Sequence, residues 1–177
     1  MAAVQLIDEL RSLLSSSDSV QRKHWAKRIV NEKIPVMSLM SLLHGEKKTA
    51  QRFTWLIGDL LEADPDVVRE CVPLLFSLRD QMPFPGMRRS VGKCLWYAGV
   101  PKDLETEAIA ELFHWLKEDE FAIGCKHYAA KALFDMARQE RVDRKSLENI
   151  LKLQTGHSNS AHAKRMQQML DRLEQLD

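Results

Sequence analysis

Apolar residues recur along this chain at three- and four-residue intervals, and short polar or turn-forming stretches break the pattern. That period belongs to helices with one buried face. Helix is predicted over about 3–14, closed by Ser15-Ser16-Ser17. The next starts at Asp18 or Ser19, both good N-caps, and reaches Asn31. Pro35 opens a short helix ending near His44-Gly45, and a longer one covers 47–63. Asp64-Pro65 begins another, since proline suits the first helical position, and Pro73 should kink it. A loop over 82–86 leads to a helix over 87–98, stopped by Gly99-Val100-Pro101. Four more follow over 103–117, 122–139, 144–155 (capped by Asp143) and about 160–176 (capped by Ser158, Asn159 or Ser160). Valine and isoleucine are sparse and no segment alternates in polarity, so strands are not expected.

A repeat organises these helices. Pro35-Val36-Met37 aligns with Pro73-Leu74-Leu75 at a shift of 38, which continues to Glu111-Leu112-Phe113 and Asn149-Ile150-Leu151. Arg89, His127 and Arg165 follow the same shift, as do Cys94, Ala132 and Leu170, and Phe53, Val91 and Ala129. Short connections make consecutive helices antiparallel neighbours. Each pair has an apolar stripe that it cannot bury alone, so pairs stack.

Within this set, CVPLLFSL (71–78) resembles the first helix of a HEAT repeat, which often carries a kinking proline. IGCKHYAAKALFDMA (123–137) resembles the second helix, and DSVQR (18–22) fits the turn between them. The resemblance to HEAT/armadillo-like repeats spans nearly the whole chain. It implies one all-α domain over 1–177, a right-handed α-α superhelix of about ten helices in five antiparallel pairs, with the second helices lining a concave face. The first pair departs from the period, since Arg22 to Arg52 is 30 residues, and the tetratricopeptide signature is absent.

The second helices carry a ladder of basic and aromatic residues. Arg22, Arg52, Lys93 and Lys131 each precede an aromatic residue (Trp25, Trp55, Trp96, Phe134) by three. Lys23/Lys27, Lys48/Arg52, Arg89/Lys93 and His127/Lys131 stand four apart. Such spacings share a helix face, and each like-charge pair costs about 0.2–0.5 kcal/mol. An anionic partner would offset that cost. Arg52, Arg89, Lys93, His127 and Lys131 are the candidate charged contacts, with Trp55 and Trp96 as anchors. The opposing possibilities are that the tryptophans are core and that the basic residues tie repeats together.

The remaining numbers narrow the function. Net charge is +1, which argues against binding nucleic acid through bulk charge but leaves local patches open. No apolar run is long enough for a membrane span, and Asp8, Glu9 and Arg11 interrupt the N-terminal apolar stretch as no signal peptide would allow. Cys71, Cys94 and Cys125 read as reduced thiols of a cytoplasmic protein. The acidic run from Asp103 through Glu120 reads as a solvated outer face. No phosphate loop, dinucleotide fingerprint or zinc spacing occurs, so no metal or cofactor is expected. The expected function is non-catalytic: a scaffold recognising an acidic protein segment or other anionic macromolecule, with no membrane partner and duplex nucleic acid as a further candidate. One alternative involves chemistry. Trp55 and Asp59, four apart, with Trp25 and Trp96 on neighbouring helices, resemble in outline the tryptophan-and-aspartate cleft of HEAT-like alkylpurine DNA glycosylases. That resemblance implies a catalytic carboxylate at Asp59 and contact with DNA. The string WLIGD does not otherwise match that family, and its members are longer.

Overall fold

In the computed structural model, which describes residues 2–81, 84 and 86–176, every regular element among the described residues is helical. The order is α1 (Ala2–Ser16), α2 (Ser19–Asn31), a 3-10 segment (Val36–His44), α3 (Lys47–Ala63), α4 (Asp66–Arg69), α5 (Val72–Ser77) and α6 (Gly86–Tyr97). A 3-10 turn (Lys102–Leu104), α7 (Glu105–Lys117), α8 (Ile123–Arg138), α9 (Arg144–Thr155) and α10 (Ser160–Glu174) complete the chain. None is long and apolar enough to cross a membrane. Of the loop expected over 82–86, Met82, Pro83 and Pro85 lie outside the described residues.

Local chemistry accounts for the boundaries. Asp18 caps α2 with a reciprocal box: its carboxylate accepts from the Gln21 amide at 2.8 Å, and the Gln21 side chain accepts from the Asp18 amide at 3.1 Å. Asp143 and Asn159 cap α9 and α10 by accepting from the amides of Ser146 and His162. The expected helix at Pro35 winds as a 3-10 helix. Val36, Leu39, Met40, Leu42 and Leu43 are buried, and the Ser38 amide donates to the Pro35 carbonyl at 3.0 Å, the three-residue reach of that helix. Pro73 divides its helix instead of bending it. It lacks the N–H that would bond the Arg69 carbonyl, so the segment splits into α4 and α5 with the proline in the first turn of the second.

The chain forms two compact units, Met1–Gly99 and Val100–Asp177. Gly99, with φ of 86°, occupies the left-handed conformation at the end of the first. That unit is built around α3, which packs against α1, α2, the 3-10 segment, α4 and α6. Its Phe53, Leu56, Ile57, Leu60 and Leu61 follow the helical period and are all buried. Each contributes roughly 1.5–3 kcal/mol by leaving water. Cys71 and Cys94 are buried free thiols in the same unit.

In the second unit α7 packs on α8 and α9 on α10, with α8 also touching both α9 and α10. Trp115 is fully buried there, and its indole N–H finds no hydrogen-bond partner among the described residues. Lys126 is equally buried and donates to the Leu116 carbonyl at 3.1 Å, satisfying one of the open carbonyls at the end of α7. Arg141 clasps the start of α7, donating to Glu105 Oε2 at 2.6 and 3.1 Å and to the Val100 carbonyl at 3.0 Å.

His162 is the acid-sensitive point of this unit. It is fully buried, its Nε2 lies 3.0 Å from Gln154 Oε1, and its Nδ1 has no partner among the described residues. Burial first, then His157, Lys126, His127 and Arg165, push its pKa down to about 4. A histidine of the unfolded chain titrates near 6.5. Between those values the unfolded state takes the proton and the folded state does not. Stability is therefore complete above pH ~6.5, falls as pH drops through ~4 and then levels, with a total loss of about 3 kcal/mol from this group. Urea denaturation at pH 7 and pH 4 measures it, and His162→Gln should remove that part of the difference.

Candidate functional site

Three helices of the first unit shape one groove. α3 lies between α2 and α6, packing against both. Its inward faces are consumed by the core, which leaves a single strip for solvent. Trp55, Asp59 and Glu62 stand on that strip at intervals of four and three, one above the other. A cavity of about 340 Å³ opens there, lined by Arg22 of α2, Thr54, Trp55, Gly58, Asp59 and Glu62 of α3, and Gly86, Arg89, Ser90 and Lys93 of α6.

Arg22 organises one end. Its Nε donates to Asp59 Oδ2 at 3.2 Å, and its guanidinium lies over the Trp55 ring at 5.2 Å from the centroid. The pair is largely shielded, with side chains 13% and 12% exposed. Burial lifts the Asp59 carboxyl above its ordinary value. Arg22 opposes that shift, the nearby Glu62 adds to it, and Lys93 lowers it slightly. Trp55 itself is 42% exposed, an unusual position for so large an apolar ring.

Lys93 organises the other end. Its ammonium donates to Glu62 Oε1 at 2.6 Å and to the Gly58 carbonyl at 3.0 Å, and lies 5.5 Å from the Tyr97 ring centroid. This hydrogen bond holds the Glu62 carboxyl below the usual carboxylate range. A glycine inside a helix costs about 1 kcal/mol relative to alanine. At Gly58 a Cβ would touch the Lys93 side chain at 3.4 Å, so the lysine lies closely over the bare backbone there.

The cavity thus holds three cations against two carboxylates, and two of the cations are spoken for. Arg89 is exposed on the first turn of α6 and has no ion pair among the described residues. The surplus positive charge therefore rests on Arg89, which lines the same cavity as the exposed Trp55 and Ser90.

The structure brings together Trp55, Asp59, Arg89 and Lys93 among the residues expected from sequence. It turns Arg52 elsewhere: the guanidinium donates to the Leu14 carbonyl at 2.9 Å and ties α3 to the end of α1. Trp96 is half-buried and packs edge-on against Tyr97 at 4.3 Å between centroids, and it does not line the cavity. Trp25 sits under Arg28 at 4.5 Å, also outside it. His127 and Lys131 belong to the second unit, both half-buried on α8. Burial pushes the Lys131 ammonium's pKa down, against the pull of Asp135 and with the help of Arg165 and Arg172. Arg22 and Glu62 were not among the expected contacts. Arg22 stood in the basic ladder, but its pairing with Asp59 carried no signal in the sequence, because the first pair departs from the repeat shift.

No family model, no curated protein and no solved structure matches this chain.

The Arg22–Asp59 pair should behave as a shielded ion pair. Arg22→Met leaves the carboxylate without its counter-charge and should cost about 2 kcal/mol at pH 7. Because Asp59 escapes the penalty by taking a proton, the cost should shrink toward pH 5. The double variant Arg22→Met/Asp59→Leu should recover most of the loss. Urea unfolding of the four proteins in a double-mutant cycle checks both statements.

Proposed function

We propose that the chain is a HEAT/armadillo-like repeat scaffold whose groove on α3 and α6 binds an acidic protein segment. Arg89 would take the anionic group, Trp55 the apolar or aromatic one, and the neutralised pairs Arg22–Asp59 and Lys93–Glu62 would hold the walls. The single observation carrying this reading is that the exposed Trp55 and Arg89, a cation with no ion pair among the described residues, line one cavity. Tryptophan and arginine are the residues most enriched where binding energy concentrates at interfaces.

The repeat reading draws support from the cross-helix ties. Arg52 reaches the Leu14 carbonyl over 38 residues, Arg22 reaches Asp59 over 37, Arg141 reaches Glu105 over 36, and Lys93 reaches the Gly58 carbonyl over 35. Four basic side chains making the same kind of reach, each near the 38-residue shift, fit successive units stacked in register. Under this reading α2, α3 and α6 are second helices of successive pairs, and in the second unit α8 with His127 and Lys131 would be another. The superhelix and its five antiparallel pairs are part of the proposal.

A second reading is favoured by one observation: Asp59 and the exposed Trp55 share one basic cavity. In an alkylpurine glycosylase of this general architecture, such a carboxylate would stabilise positive charge developing on the sugar. Arg22 weighs against it, because its guanidinium already neutralises Asp59 at 3.2 Å. Binding of duplex DNA without chemistry would use Arg89 on a phosphate and should show steep salt dependence.

A fluorescein-labelled peptide of alternating glutamate and tyrosine, followed by anisotropy, separates these. The scaffold reading expects binding that Arg89→Glu weakens about tenfold or more and Trp55→Ala weakens comparably. Arg52→Ala should leave affinity unchanged while lowering stability. Unaltered affinity in both groove variants contradicts the reading. The glycosylase reading requires the wild-type protein to release alkylated bases from duplex DNA and Asp59→Asn to abolish release. A wild-type protein that releases none removes it.

A further inference from the structure

The groove contains a carboxylate where an anion is expected to dock. Asp59 is shielded, has one cation in direct contact, and faces the same cavity as Arg89. A cavity of about 340 Å³ is roughly 9 Å across, so any anion seated in it lies within strong Coulomb range of Asp59. We propose that anion binding in this groove is coupled to proton uptake at Asp59, so that the site grips acidic ligands more tightly as pH falls. The inference rests on the anion-binding reading above and adds its regulation.

The charge inventory around the carboxylate is short. Arg22 reaches it from α2, Glu62 stands one turn along α3, and Lys93 approaches from α6 beside Arg89. α1, the 3-10 segment and α4 also pack on α3 but place no residue in the cavity lining. No histidine lines it either. Lys93, with Lys23 beyond it, holds the half-exposed Glu62 ionised, whereas at the shielded Asp59 burial outweighs the pull of Arg22, so Asp59 is the lining carboxylate nearer to taking a proton. Burial already favours its protonated form, and a bound anion pushes in the same direction. The neutral carboxyl also releases Arg22, whose guanidinium then turns its charge to the ligand while staying over the Trp55 ring. Linkage makes the coupling reciprocal: if the anion raises proton affinity at Asp59, the proton raises anion affinity by the same factor.

The test uses the full chain and 4-toluenesulfonate, an aromatic anion whose charge is constant over the range. Isothermal calorimetry at about pH 8 and at the lowest pH where the chain stays folded should give binding severalfold tighter at the lower value. Repeating the acid titration in two buffers of different ionisation heat should show net proton uptake by the unaltered protein, which requires no variant to fold. Asp59→Asn, a permanent mimic of the neutral carboxyl, should bind at pH 8 as tightly as wild type does in acid and lose its pH dependence. Equal affinity at both pH values with no proton uptake overturns the coupling and leaves the binding reading standing. Absence of binding at either pH overturns both.

Discussion

A helix packed on several sides keeps only one strip of its surface toward water, and a charge partly shielded on that strip needs a counter-charge from a neighbour. α3 is in that position. Its apolar residues at 53, 56, 57, 60 and 61 are buried, and α2 and α6 flank it. The strip that remains carries Trp55, Asp59 and Glu62. Asp59 takes its counter-charge from Arg22 on one neighbour, and Glu62 takes its own from Lys93 on the other. The groove is the consequence: two crosslinks at fixed places, a glycine floor between them, and Arg89 and the exposed indole lining the same cavity.

The same constraint explains why basic residues early in helices are so numerous yet mostly unavailable. Arg52, Lys93, Lys126 and Arg141 all donate to backbone carbonyls of other elements. Such carbonyls include those left open at helix ends, and a charged donor satisfies them more strongly than a neutral one. Within the ladder, Arg22, Arg52 and Lys93 serve as such ties between helices. What separates a tie from a contact residue is whether its charge is consumed, and Arg89 is the ladder residue of the groove whose charge is not.

Much of the helix layout was legible because its signals are local. Asp18, Asp143 and Asn159 cap as their positions require, and the apolar period of α3 gives its buried face directly. Pro73 was visible as a disturbance, but whether a missing N–H bends or divides a helix depends on how well the flanking turns are packed. The 3-10 winding of 36–44 was not legible, because the buried Val36, Leu39, Met40 and Leu43 keep a spacing that an α-helix also shows. The ends of α2 and α8 fall within a residue of where the sequence placed them, but not the way they close, on Lys33 and Glu140 with φ of 52° and 58°, a conformation ordinarily left to glycine. In the site, spacing placed Trp55 and Asp59 on one face, and Arg89 with Lys93 on another. It could not tell that Arg52 would turn to Leu14 or that Trp96 would lie against Tyr97, because those choices are made by the partner helices. Nor did it single out Arg22, whose role appears only when α2 and α3 lie side by side.

The account stands on Arg89 and Trp55 forming the receptive part of one anion-binding groove. Chemical-shift mapping of the indole N–H and guanidinium N–H signals during titration with the glutamate–tyrosine peptide tests that most directly. Saturable shifts should concentrate on Trp55, Arg89 and Arg22, with the indole signals of Trp25, Trp96 and Trp115 left in place. Shifts centred on any other surface, or a titration that leaves Trp55 unmoved while the peptide binds, would contradict the account.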